Sequence, residues 1–190
     1  MRFNSFEELL RYNAEKHTND VALIFDKDGE IFNVTYSEFF DGVLERKAQL
    51  EKENANCVGI LQAPSAKWLV DTFASVLAGK QTVLLDPMQE PAVIQKMVTA
   101  TDVALVLTDE LTAPYAQAVK TAPVENVEKA DSEGDILFFT SGTTNLSKAV
   151  VLTSKSLCSS AWNGQQKLPC TSSDNLLCML PLTHVFGFVC

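Results

Sequence analysis

Apolar positions follow two regimes along the chain. In the first fifty residues they recur at helical spacing or in short alternating runs. Ser5-Phe6-Glu7-Glu8 has the form of a capping box and opens a helix with Phe6, Leu9 and Leu10 on one face. Val21 to Phe25 and Ile31 to Val34 predict two strands joined by Asp26-Lys27-Asp28-Gly29, a hairpin signal. Thr35-Tyr36-Ser37-Glu38 is a second box, followed by Phe39, Phe40, Val43, Leu44, Ala48 and Leu50 at helical spacing. From about residue 55 short uninterrupted apolar runs alternate with helical patterns. Strands are predicted at Cys57 to Leu61, Thr82 to Leu85, Ala104 to Leu107, Asp135 to Phe139 and Ala149 to Leu152. Between the earlier ones lie helices over Lys67 to Leu77, from Pro91 onward, and over Thr112 to Lys120. Strands that are apolar throughout must be covered on both faces, which implies βαβ units and a parallel sheet. The predicted fold is therefore α/β, a mainly parallel sheet with helices on both faces, plus a small amino-terminal α+β hairpin segment. The expected division is 1–54 for that segment and 55–190 for the α/β subdomain, incomplete at its carboxyl end.

The length of 190 residues and an apolar share of 46% are enough for a substantial core without staples. Lys plus Arg is 15 against 24 for Asp plus Glu, so the net charge is −9. An acidic chain with no basic stripe is a poor binder of nucleic acid or anionic membrane. No apolar run reaches the roughly 18 residues of a membrane span, and the start Met1-Arg2-Phe3-Asn4-Ser5 lacks a signal-peptide core. Five cysteines without a C-x-x-C pair, and only His17 and His184, predict reduced thiols, no structural metal and a cytoplasmic location. The chain stops within the apolar sequence Leu180-Pro181-Leu182-Thr183-His184-Val185-Phe186-Gly187-Phe188-Val189-Cys190. An element cut there would leave an apolar patch on which two copies could pair as a homodimer.

One loop carries chemistry. The strand ending at Phe139 runs into Thr140-Ser141-Gly142-Thr143-Thr144-Asn145-Leu146-Ser147-Lys148. Five hydroxyls, a glycine that admits backbone N–H groups and a lysine suit a row of phosphate oxygens, which only accept hydrogen bonds. A polar hairpin connection would read the same way, and the second glycine of a Walker A loop is missing.

The segment FFTSGTTNLSKAVVLT resembles the phosphate-binding signature TSGTTG-x-PKG of the adenylate-forming superfamily, the acyl-CoA synthetases and their relatives. Three more segments agree in order: Thr35-Tyr36-Ser37-Glu38-Phe39 is similar to the early T-Y-x-E-L, the stretch from Phe73 through Gly79 to Leu85-Asp86-Pro87 to "LAG…vPldP", and Leu180 to Gly187 to "lPLfHxxG". Asn145, Ser147 and Ala149 stand where the family has Gly, Pro and Gly, each a small residue that still lets the loop form. Asn enters left-handed backbone more readily than most residues.

The resemblance implies an ATP-dependent, AMP-forming acid–thiol ligase: a carboxylate attacks the α-phosphate, pyrophosphate leaves, and coenzyme A takes the acyl group. By position, Thr140, Ser141, Gly142, Thr143, Thr144 and Lys148 would hold the phosphates, with Lys148 neutralising the leaving pyrophosphate. His184 would sit by the acyl carboxylate. His17, outside any motif, reads as a surface residue at a helix C-terminus. Amino-acid-activating relatives carry an Asp in the last segment to pair with the ammonium, and no acid lies from Asn175 to Cys190. A fatty or other neutral-tailed acid is expected instead. The family's Y-G-x-T-E segment, its ribose-binding T-G-D and its carboxyl-terminal domain are not found in these residues, and with them goes the magnesium carboxylate. The chain alone is expected to be inactive. An amino-acid-adenylating fragment and a non-catalytic nucleotide- or protein-binding module are the alternatives.

Overall fold

The computed structural model describes residues 1–116, 119–123, 132–140, 148–168, 170–171 and 173–189. The amino-terminal segment comprises α1 (Phe6–Lys16), the antiparallel pair β1 (Val21–Lys27) and β2 (Glu30–Thr35), and α2 (Tyr36–Leu50). Lys27 pairs with Glu30, which leaves Asp28 and Gly29 as a two-residue turn with φ of 57° and 85°. Two consecutive positive φ angles define the hairpin turn that an Asp-Gly pair favours. The second box forms completely: Thr35 Oγ1 accepts from Glu38 N (3.2 Å), and Glu38 Oε2 accepts from Thr35 N (2.8 Å). The first forms by half. Ser5 Oγ accepts from Glu8 N (3.1 Å), while the Glu8 carboxylate accepts from Asn4 N instead of Ser5 N. The remaining donors at that helix end go to Glu133, whose carboxylate accepts from Phe6 N (3.1 Å) and Glu7 N (2.7 Å). A residue of the acidic loop after β5 thus caps the first helix from far along the chain.

The main sheet comprises β3 (Cys57–Leu61), β4 (Gln81–Leu85), β5 (Leu105–Thr108), β6 (Ile136–Phe139) and β7 (Ala149–Leu152), in the order β5-β3-β4-β6-β7. The first four are parallel, with Gly59 level with Val83 and Val106, and β7 returns antiparallel along β6. Helices α3 (Ala66–Leu77), α4 (Pro91–Ala100), the short α5 (Ala113–Ala116), α6 (Ser154–Gln165) and α7 (Val185–Val189) complete the described elements. Strand alternation divides the core in two. Val58, Ile60, Leu84, Ile136 and Phe138 face α1, α2, α3 and α6, while Cys57, Leu61, Val83, Leu85 and Leu137 face Ile94, Met97 and Val98 of α4. The sheet is mainly parallel and covered on both faces, as the uninterrupted apolar strands require.

The carboxyl-terminal apolar run is not uniformly open. Phe188 packs among Phe6, Trp68, Phe73 and Phe138, with ring centroids 5.7–6.2 Å away. Phe186, two positions earlier and so on the other side of α7, is 59% exposed, and Leu176, Leu177 and Met179 face outward. Among the described residues no helix is long and apolar enough to cross a membrane.

Burial divides the thiols in the same way. Burial pushes the Cys57 thiol up to about 12 and the Cys158 thiol to about 11, and both are enclosed by core side chains, whereas Cys170 and Cys178 are exposed. A thiolate-directed reagent at pH 8 is expected to label Cys170 and Cys178 rapidly and Cys57 and Cys158 only on unfolding. Peptide mapping of the alkylated protein checks this. Rapid labelling of Cys57 in the native state would contradict the described core.

Candidate active site

Strand β6 delivers Thr140 to the carboxyl edge of the sheet. Thr140 N donates to Lys148 O (3.0 Å), and the Thr140 hydroxyl reaches the same carbonyl at 3.4 Å. This extends the β6–β7 ladder by one rung and brings the two ends of the hydroxyl-rich loop together. Both side chains are exposed. Ser141, Gly142, Thr143 and Thr144 lie outside the described residues.

Beyond the carboxyl ends of β4 and β6 lies a cleft of about 450 Å³. Parallel α/β sheets place their ligands in this position, because the strand-to-helix loops diverge there. Thr140 and His184 line it together, 44 positions apart in sequence, with Asp86, Gln89, Thr183 and Phe186 around them and Leu84, Met97 and Phe139 forming apolar walls. Lys148 is not among the lining residues, and it meets Thr140 through its backbone carbonyl. His17 is remote from this cleft: it closes the C-terminus of α1 and holds Asp20 Oδ2 at 2.9 Å.

His184 is set by a tight turn. Its N–H donates to Pro181 O (3.0 Å), its carbonyl accepts from Phe188 N (3.0 Å), and its Nδ1 accepts from Phe186 N (3.3 Å). Gly187 completes the arrangement. A Cβ there would lie 2.4 Å from Pro181 O, so only a glycine lets α7 sit against that carbonyl.

Three contributors were not named as site residues from the sequence: Asp86 and Gly187, which fall in the family-like segments, and Gln89. Asp86 directly follows an apolar strand of a parallel sheet, and that was the available signal. Its Oδ1 accepts from Met88 N (2.9 Å) and its Oδ2 lies 3.4 Å from Gln89 Nε2, so the carboxylate shapes its own loop. It is the one acid among the described lining residues, and the described part of the cleft does not by itself make a magnesium cage. At the neighbouring edge, Asp109 ties the ends of β3 and β5 by accepting from Ala63 N (2.7 Å), Leu111 N (3.0 Å) and Thr112 N (2.8 Å). Burial pushes its carboxyl up, but these bonds outweigh that and hold it below the usual carboxylate value.

A cleft at the carboxyl edge, lined by Thr140 at the end of β6 and by the turn that holds His184, can be compared with known proteins. The sequence profile of the AMP-binding enzyme family matches residues 10–190. The chain belongs to the AMP-binding enzymes. Its relatives in this family include the hybrid PKS-NRPS synthetase prlS of Fungal sp. (strain NRRL 50135), 30% identical over 162 residues, a match that covers 75% of this chain and 4% of that protein. Among solved structures, o-succinylbenzoate coenzyme A synthetase (MenE) from Bacillus subtilis in complex with AMP is 25% identical with a TM-score of 0.76. That match covers 95% of this chain and 51% of MenE. VinN, solved with 3-methylaspartate, shares the fold at a TM-score of 0.84 and 19% identity, over 100% of this chain and 58% of its own. The AMP-binding chain described here thus spans about half the length of these solved relatives and a small part of the synthetase.

Proposed function

We propose that this chain is the phosphate- and acid-binding part of an ATP-dependent acid–thiol ligase that first adenylates a carboxylate and then passes the acyl group to coenzyme A. The observation that carries the reading is the meeting of Thr140 and His184 in one cleft at the carboxyl edge, beside the paired ends of the hydroxyl-rich loop. On this reading the loop hydroxyls and the Lys148 ammonium would bind the β- and γ-phosphates and stabilise the charge that pyrophosphate takes up on leaving. His184 lies at the acid's carboxylate. Magnesium, where bound, would shield the triphosphate charge.

The apolar walls Leu84, Met97, Phe139 and Leu180 favour a fatty or other neutral-tailed acid. Asp86 is the one acid among the described lining residues, and its Oδ1 accepts from Met88 N of its own loop. The likeness to a PKS-NRPS synthetase supports the second reading, an amino acid as substrate.

Acid-dependent ATP–pyrophosphate exchange tests the proposal in a polypeptide that carries this chain together with a Y-G-x-T-E segment. Exchange is expected with fatty or aromatic acids and not with α-amino acids, and is expected to be absent from the 190-residue chain alone. Lys148→Ala should lower exchange about 10–100-fold, the value of one charge-assisted hydrogen bond. Exchange confined to amino acids would select the second reading. An unchanged rate in Lys148→Ala would remove the lysine from the phosphate site.

A further inference from the structure

The hairpin that carries Thr140 and Lys148 hangs from the main sheet by its entry. β6 pairs with β4 at Ile136 and Leu137, and not at Phe138 or Phe139. β7 pairs with β6 and forms the edge of the described sheet. Just ahead of β6, Asp135 O accepts from Thr82 N (2.8 Å) and Gly134 N donates to Val76 O (2.8 Å). Beyond Leu137 the hold on the core passes to side chains, with the Phe138 ring 5.7 Å from that of Phe188. From Glu133 to Thr140 an extended chain runs roughly 20 Å, so a rotation of about 5° at the entry would carry Thr140 by about 2 Å.

The start of α1 grips both flanks of this hairpin. On the entry side, the Glu133 carboxylate accepts from Phe6 N and Glu7 N, two of the donors that a helix leaves unpaired in its first turn. On the exit side, α6 follows β7 directly. There Arg2 Nη2 donates to Ser159 Oγ (3.0 Å) and Cys158 Sγ donates to Ser5 O (3.6 Å). Phe6 is buried and lies edge-on to Phe73 of α3, which fixes α1 itself to the core.

We propose that the first turn of α1 is a positioning clasp for the β6–β7 hairpin. It holds Glu133 ahead of β6 and Cys158 and Ser159 behind β7, and so sets the angle at which the hairpin presents Thr140 and Lys148. Glu133 is the positioning residue of this device and acts through the hairpin, not on a ligand. Phosphate as the ligand so presented rests on the adenylation reading, whereas the mechanical link does not.

Residual dipolar couplings of the 190-residue chain, which report the direction of each N–H, test the clasp. Couplings from β3, β4 and β5 define the frame, and those of Phe138, Thr140 and Val150 report the hairpin. Val103→Ala is the control, because Val103 is fully buried on the opposite face of the sheet and its truncation costs stability without touching the clasp. In Glu133→Ala the hairpin couplings are expected to lose their fit to the frame, and in Val103→Ala to keep it. Glu133→Gln retains one acceptor oxygen and should fall between the two. Hairpin couplings that keep their fit in folded Glu133→Ala, or in Glu133→Gln if only that variant folds, would overturn the proposal. An equal loss in Val103→Ala would do the same. Inorganic pyrophosphate then probes the consequence: its dissociation constant should rise about 3–10-fold in Glu133→Ala and stay unchanged in Val103→Ala. Unchanged affinity beside displaced couplings would defeat the positioning role. If pyrophosphate binds neither parent nor variants while the couplings shift as expected, the phosphate reading fails and the clasp stands.

Discussion

Gly134→Ala is expected to lower the melting temperature by about 6–12 °C, the equivalent of about 3 kcal/mol in a chain of this size. A Cβ at this position would fall 1.9 Å from Lys80 O and 2.4 Å from Lys80 C. Both are backbone atoms, so no rotamer change relieves the clash. The segment around Lys80 has little freedom to retreat. Lys80 is 5% exposed, and its ammonium donates to Glu53 O (2.9 Å) and Ala55 O (2.7 Å) just past α2. Gly134 N in turn donates to Val76 O (2.8 Å), and Asp135 O accepts from Thr82 N (2.8 Å) at the start of the β4–β6 pairing. A shift at 134 would therefore loosen the entry to β6, the strand that delivers Thr140. Gly164→Ala, on α6 with nothing within 4 Å of the added carbon, is the control and should be neutral or stabilising by about 0.5–1 kcal/mol. Thermal unfolding of the two variants decides the matter. A Gly134→Ala protein that melts with the parent would show that the backbone approach is not as close as described.

Asp71→Ala should cost about 3 kcal/mol at neutral pH, in the range seen when one member of a buried ion pair is removed. The Asp71 side chain, on α3, is 2% exposed. Its Oδ1 accepts from Arg46 Nε of α2 (2.6 Å) and its Oδ2 from Gln62 Nε2 at the end of β3 (2.6 Å) and from Lys67 Nζ. Lys67 is 55% exposed and can regain water, which keeps the cost at the low end. Burial pushes the Asp71 carboxyl up, but the bonds from Lys67, Gln62 and Arg46 outweigh it and leave it below the ordinary carboxylate value. The folded state therefore holds the proton less tightly than the unfolded chain. The resulting stability is complete above the unfolded carboxylate range and is lost as pH falls through the folded value. Urea unfolding should show a wide gap between Asp71→Ala and the parent at pH 7 that narrows toward pH 3. A gap independent of pH would mean that packing, not charge, accounts for the loss.

Much of the architecture was legible because its causes are local. Uninterrupted apolar runs such as Cys57 to Leu61 can only be strands covered on both sides, and they share one parallel sheet with β4 and β5. Thr35-Tyr36-Ser37-Glu38 capped α2 as read, since both partners of the box lie within one turn. The phosphate motif was legible from its residues, and the family match over residues 10–190 bears out the resemblance drawn from it. Local reasoning fell short at the start of α1, where Glu8 accepts from Asn4 N and the Phe6 and Glu7 N–H groups go to Glu133, and at Phe186 and Phe188, which one apolar run sends to opposite sides of α7.

What the sequence determined by itself is therefore the seven strands, α1 to α4 and the mainly parallel sheet, because periodicity and capping are properties of neighbouring residues, whereas α6 and α7 were not read from it. Only the tertiary structure decided that Thr140, His184 and Asp86 share a cleft, and that Gly134 and Gly187 are required by Lys80 and Pro181. Each of these depends on the distance between groups remote in sequence or folded back on a turn. That distance is set by how the layers pack, and no pattern along the chain encodes it directly.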